Sequence, residues 1–205
     1  SNPINFHTHD SSTYFVATSN TTQGAELWKT DGSAAGTFLL KDIYDGAQSS
    51  GASNFLSADS LLYFTARDAA HGIELWKTDG TATNTILVKD IRTGTTNAGI
   101  ANMTYFASKE SVVFTANDGT NGNELWISNG TAAGTKMLKD IQTGALSTSI
   151  ASVVVMGNYC FFLADDGLSG RELWRTDGTE AGTILLKDIK AGGTTSNASQ
   201  FTAYN

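Results

Sequence analysis

Three loops of this chain share the form Asp-x-x-x-Gly-x-Glu: Asp68 to Glu74, Asp118 to Glu124 and Asp166 to Glu172. Carboxylate oxygens around a glycine turn are ligands of the kind Ca²⁺ takes. Asp68, Glu74, Asp118, Glu124, Asp166 and Glu172 are therefore candidate calcium ligands. The corresponding loop nearest the N-terminus carries Asn20 in place of Asp, and no loop offers the about five protein ligands of an EF-hand. The expectation is a turn braced by a carboxylate and no required cofactor, with calcium as the alternative.

Four Lys-Asp pairs form a second set: Lys41-Asp42, Lys89-Asp90, Lys139-Asp140 and Lys187-Asp188. Neighbouring strand residues point to opposite faces, so each Lys is expected to look one way and each Asp the other. A ring of such pairs could conduct ions or form a multivalent site. A buried charge is tolerated when it is paired, so the structural expectation is that each Lys meets a carboxylate such as Glu26, Glu74, Glu124 or Glu172.

Trp28, Trp76, Trp126 and Trp174 could stack on sugars, yet each stands beside a Leu, the position of a packing residue. The Asp-Gly turns at Asp31, Asp79 and Asp177, with Asn129 in the third copy, read as hairpin chemistry: the side chain bonds local N–H groups and Gly supplies positive φ. His7 and His9 lie two apart, on one face of a strand, a spacing zinc accepts, but no third ligand accompanies them. Cys160 lies within Tyr159-Cys160-Phe161-Phe162 and reads as a buried, inert thiol, and His71 has no counterpart in the other copies. No Ser/His/Asp constellation, phosphate loop or pair of catalytic carboxylates emerges. A chain that is not an enzyme is expected.

The elements that must hold these residues are set by a repeat. Glu26-Leu27-Trp28-Lys29-Thr30-Asp31-Gly32 recurs at Glu74, at Glu124 as Glu-Leu-Trp-Ile-Ser-Asn-Gly, and at Glu172 as Glu-Leu-Trp-Arg-Thr-Asp-Gly. The tryptophans are 48, 50 and 48 residues apart, and a Lys-Asp-Ile begins 13 residues after each. The second copy divides into strands at Asn54–Ala58, Leu61–Arg67, around Leu75–Lys77, and at Thr85–Ile91, separated by turn residues. Its apolar runs are continuous, as in a sheet covered on both faces, and no segment keeps a helical period. Four strands per copy is the arithmetic of a blade. The expected fold is all-β, a β-propeller of four tandem four-stranded blades over about 3–43, 53–91, 102–141 and 152–189 in a single repeat domain spanning 1–205. A spare first strand of a fifth repeat is expected at about 200–205, and could leave a closed ring, join a larger one, or pair with another molecule.

The motif resembles the bacterial ELWxxDGT repeat proteins, through ELWKTDG-[ST]-x-x-x-T-x-x-x-KDI in copies one and two and ELWRTDGTEAGTILLKDI in copy four. Copy three departs, with Ile-Ser-Asn-Gly for Lys-Thr-Asp-Gly. The resemblance covers nearly the whole chain. It implies a propeller-like repeat and a secreted or cell-surface location, and it assigns no catalytic residue.

Composition bounds the partners. The chain has 205 residues, a formal net charge of -7, 40% hydrophobic residues, one Pro and one Cys. One cysteine excludes an internal disulfide framework, no basic stretch could follow a nucleic-acid backbone, and no apolar run reaches the roughly 18 residues of a spanning helix. Ser1 to Phe6 is no signal peptide, so a processed, tagged or partial chain is expected. Asn20, Asn102, Asn129 and Asn197 begin glycosylation sequons that a Thr-rich chain also produces by chance. The expectation is an extracellular structural, adhesion or self-assembly module with itself or surface molecules as partners. The alternative is a lectin-like propeller binding glycans at several equivalent sites, through segments such as Gly46–Ser53 and Gly94–Asn102.

Overall fold

The structure, a computed structural model, describes residues 2–19, 22–196 and 198. Sixteen strands fall into four antiparallel sheets. The first holds β1 (Ile4–His9), β2 (Ser12–Thr18), β3 (Ala25–Thr30) and β4 (Phe38–Lys41). The second holds β5 (Ser53–Ala58), β6 (Leu61–Ala66), β7 (Glu74–Thr78) and β8 (Ile86–Lys89). The third holds β9 (Ala101–Phe106), β10 (Ser111–Asn117), β11 (Asn123–Ser128) and β12 (Lys136–Lys139). The fourth holds β13 (Ala151–Met156), β14 (Tyr159–Asp165), β15 (Arg171–Thr176) and β16 (Ile184–Lys187). Strand order in each sheet is that of the chain, so each sheet is an up-and-down meander of the propeller-blade type. We number them blades 1 to 4. The spare strand expected at 200–205 lies outside the described residues, as do Asn20 and Asn197.

The chain divides into two compact units, Ser1–Ala98 with blades 1 and 2, and Gly99–Asn205 with blades 3 and 4. In the first, Tyr14, Val16, Leu27, Leu40 and Ile43 of blade 1 pack on Leu62, Phe64, Ala66 and Trp76 of blade 2. In the second, Val113, Leu125, Leu138 and Ile141 of blade 3 pack on Phe162, Ala164 and Trp174 of blade 4. The apolar runs read from the sequence are therefore two-faced because strands such as β6 are buried on both sides of the pleat.

Two backbone devices recur. The second residue of every first strand (Asn5, Asn54, Asn102, Ser152) has φ between 52° and 56°, and the register slips there. Asn tolerates this left-handed conformation better than most residues. The ladder also slips between the Leu and Trp of every third strand, so Leu27 faces Lys41 while Trp28 faces Leu39. The fourth strands end at the Lys of Lys-Asp-Ile, short of the expected Ile91, because the chain leaves the ladder at the Asp. The one departure from an all-strand chain among the described residues is a 3₁₀ turn at Ala107–Lys109, closed by Glu110 at φ 48°.

Candidate functional site

The polar residues that recur in each repeat meet where the chain leaves one blade and crosses back to start the next. Leaving the ladder frees backbone N–H groups, and these need partners if buried. The Glu of each Glu-Leu-Trp supplies them. Glu26 accepts the N–H groups of Ile43 (2.9 Å), Tyr44 (3.4 Å) and Ser50 (2.8 Å). Glu74 accepts those of Ile91 (3.0 Å) and Arg92 (3.3 Å). Glu124 accepts Ile141 N–H at 3.2 Å and the Thr148 hydroxyl, and Glu172 accepts Ile189 N–H at 3.2 Å. Glu172 Oε1 is buried with no hydrogen-bond partner.

All four carboxylates are essentially inaccessible to water. Burial pushes the Glu74 and Glu124 carboxyls up to about 7, outweighing the N–H bonds, while Asp90 and Asp140 nearby push the same way. Glu26 rises by burial as well. Around each clasp a second bond recurs. The N–H before each Glu donates to a side-chain oxygen 24 residues on, from Ala25 to Ser49 (2.9 Å), Ile73 to Asn97 (2.8 Å), Asn123 to Ser147 (3.1 Å) and Arg171 to Thr195 (3.5 Å). Sequence reading missed these four acceptors. Their constant offset from the Trp was the available signal.

The candidate calcium ligands are corrected by this geometry, because the two carboxylates of each loop serve different backbones. Asp68 Oδ1 accepts the N–H groups of Ala70 and His71, both at 2.8 Å, and meets His71 Nδ1 at 2.8 Å. Asp118 does the same for Thr120 and Asn121, and Asp166 for Leu168 and Ser169. Burial alone would raise these three carboxyls, but the bonds they accept outweigh it and hold them below 3.8. Glu74, Glu124 and Glu172 point instead into their clasps. The glycine between them is a crossing point: a Cβ on Gly72 would collide with the backbone of Thr96, and Gly72 N–H donates to Gly94 O at 2.9 Å. Among the described residues no group of three or more His, Cys, Asp or Glu side chains could hold a metal. His7 Nε2 meets Ser57 Oγ at 3.0 Å and its ring stacks on Phe55, whereas His9 is buried against Tyr14.

The expected Lys–Glu pairs are corrected at Lys41 and Lys139. Lys41 Nζ donates to Ala82 O at 3.5 Å, and Lys139 Nζ to Thr183 O at 3.0 Å. Both acceptors are backbone carbonyls in the Asp-Gly turn of the following blade. Lys29 reinforces the first latch by donating to Gly80 O at 3.2 Å. The Asp of each pair does not face the other neighbour but turns back on its own copy. Asp90, Asp140 and Asp188 accept N–H from Gly94 (3.4 Å), Gly144 (3.2 Å) and Gly192 (3.4 Å), and Asp42 accepts Gln23 Nε2 at 2.9 Å. Their Oδ1 atoms are buried without hydrogen-bond partners.

The Asp-Gly turns close as hairpin chemistry requires. Asp31 Oδ1 accepts both N–H and O–H of Ser33, and Asp79, Asn129 and Asp177 repeat this with Thr81, Thr131 and Thr179. Trp76, Trp126 and Trp174 are each 6% exposed and closed to a stacking sugar. Trp28 is half-buried and donates to Ala17 O at 3.0 Å. Cys160 is fully buried, and burial pushes its thiol up to about 12.

No protein-family model matches the chain, and no curated protein sequence matches it. Among solved structures it is similar to the Bacteroides ovatus protein Xyloglucan PUL GH43B, a glycoside hydrolase, at 11% identity and a TM-score of 0.39. The match covers 89% of this chain, which spans 40% of the length of that one. The expectation that the chain is not an enzyme is corrected by this neighbour and is withdrawn; no reaction, substrate or residue role is carried over from it. No helix among the described residues is long and apolar enough to cross a membrane.

Proposed function

We propose that the chain is a structural repeat module of the cell exterior, working by adhesion or self-assembly, in keeping with the ELWxxDGT resemblance of its motifs. The observation that carries this reading is the use to which the repeated polar residues are put. Glu26, Glu74, Glu124 and Glu172 hold the crossing segments, and Lys41 and Lys139 hold the next blade's turn. Groups that could act on a ligand are spent on fastening the repeats, the Glu residues within each copy and the two Lys residues to the next blade. A second reading, binding of glycans at equivalent sites, is favoured by the exposed segments 45–49, 93–97 and 143–147, which differ between copies and present Leu146 at 61% exposure.

Light scattering after size exclusion, over a concentration series, tests the two together with a glycan array. A mass above 21.6 kDa that rises with concentration, with no glycan retained, is the expected result. A monomer at every concentration that retains glycans would overturn assembly in favour of the second reading.

A further inference from the structure

Each blade has two faces with different residues, and each unit mates the same two. The first, face A, carries Tyr14, Leu27, Leu40 and Ile43 in blade 1 and Val113, Leu125, Leu138 and Ile141 in blade 3. The second, face B, carries Phe55, Phe64, Ala66, Trp76 and Leu87 in blade 2 and Val153, Phe162, Ala164, Trp174 and Leu185 in blade 4. Counting from the Trp and from the register of the strand pairs, the members correspond position by position.

Blade 1 has its own face B, made of Phe6, Phe15, Ala17, Trp28 and Leu39, and blade 4 has its own face A, with Phe161, Leu173, Leu186 and Ile189. Both are open. Leu186 is 40% exposed where Leu40 and Leu138 are 3% and 1%, and Ile189 is 56% exposed where Ile43 and Ile141 are 7% and 8%. On blade 1, Phe6 is 64% exposed and lies stacked on Phe15 at 5.4 Å, beside a groove lined by Pro3, Ala17, Trp28 and Thr37. Exposed apolar faces of this kind mark interaction surfaces.

The polar latch is present on the same faces in unfilled form. Lys187 stands where Lys41 and Lys139 stand, and Arg175 where Lys29 stands. Arg175 Nε is buried and has no hydrogen-bond partner, while its guanidinium lies 4.5 Å from the Tyr159 ring centroid. The acceptors that these cations take within each unit are carbonyls of an Asp-Gly turn. In blade 1 the matching turn, Asp31 to Gly36, contains Ala34 at the position of Ala82 and Gly32 at that of Gly80.

We propose that face A of blade 4 seats on face B of blade 1 in a second copy of this chain, with Lys187 and Arg175 donating to the Gly32–Thr37 carbonyls of that copy. The joint repeats, between molecules, the one that holds blade 1 to blade 2 and blade 3 to blade 4. It uses two different surfaces, so it is head-to-tail and leaves a free face at each end of any open assembly. The inference rests on the self-assembly form of the proposed function and names its partner and surfaces.

Two charge insertions test it, Phe6→Asp to block face B and Ile189→Asp to block face A, read by light scattering. Each variant alone is expected to run as a monomer at concentrations where the native chain associates. Their mixture is expected to form a one-to-one dimer that grows no further, because only one intact A face and one intact B face remain. Lys187→Glu is expected to raise the dissociation constant about tenfold, the effect of losing a charge-assisted bond. Melting curves check the fold; should either variant melt as an unfolded chain, Pro3→Asp, at an exposed position in the face B groove, and Leu186→Lys replace it. A native chain that associates while both variants still associate, or whose variants fail to pair when mixed, overturns the inference and leaves assembly standing. A native chain that stays monomeric overturns both.

Discussion

Glu74 Oε2 accepts the backbone N–H of Ile91 at 3.0 Å, across 17 residues of chain, and the same bond joins Glu26 to Ile43, Glu124 to Ile141 and Glu172 to Ile189. It ties the third strand of each blade to the segment leaving the fourth. The carboxylate is held out of water, which makes its charge state a stability variable.

The first expectation is a fall in stability as pH rises from about 4.5 to about 7. Over that window Glu74 and Glu124 stay protonated in the folded chain while the unfolded chain ionises at the ordinary 4.5. The unfolded state then binds fewer protons, so stability is full below 4.5 and is lost as pH climbs to the folded value. Asp31, Asp79 and Asp177, held below 3.8 first of all by the hydroxyl groups of Ser33, Thr81 and Thr179, act oppositely: their contribution is present above 3.8 and lost in stronger acid. Melting temperature should therefore peak between about pH 4 and 5. The double variant Glu74→Gln, Glu124→Gln should flatten the upper limb. A native profile level from about pH 5 to 7.5 would contradict the assignment.

Trp76→Ala should destabilise the first unit by about 3 to 5 kcal/mol, the cost of emptying a packed aromatic site. Trp28→Ala, at a half-buried position, should cost roughly half that or less. Urea melts of both variants give the comparison, and equal losses would mean that Trp28 is also covered.

Lys139→Met should cost about 1 kcal/mol by removing the donor to Thr183 O at a half-buried position. Differential scanning calorimetry at low and high salt distinguishes this from a general charge effect, since a local bond keeps its cost in salt.

EDTA should leave the melting temperature where it is, and added calcium should not raise it, because Asp68 and Glu74 are each occupied by N–H groups of their own copy. A calcium-dependent rise of several degrees would reinstate those residues as ligands.

Cys160 should resist alkylation in the native protein at about pH 8, since a thiol at about 12 holds almost no thiolate there and is buried besides. Rapid labelling by iodoacetamide without denaturant would show that β14 opens.

The repeat, the four-strand blade and the hairpin turns were all legible in the sequence, since Trp spacing, Asp-Gly and the apolar runs are local signals. The partners of the charged residues were not. Lys41 and Glu26 carry opposite signs at fixed spacing, and Coulomb's law alone suggests that they meet. What separates them is where the chain leaves the ladder at Asp42: freed N–H groups claim Glu26, and the lysine reaches a carbonyl on the next blade. The loops at Asp68, Asp118 and Asp166 read as cation sites for a similar reason. The sequence shows two carboxylates near a glycine but not that the backbone of Thr96 crosses between them at Gly72.

The Glu clasp also bears on how such a chain can change length. Every clasp closes on residues no more than 24 positions downstream, so each copy carries both halves of its own fastening. A recombination event that joins equivalent positions of two copies would add or delete about one blade and leave every remaining fastening whole. Blade number is then free to drift by duplication and loss, and the terminal blades, whichever they become, inherit the same pair of mating faces.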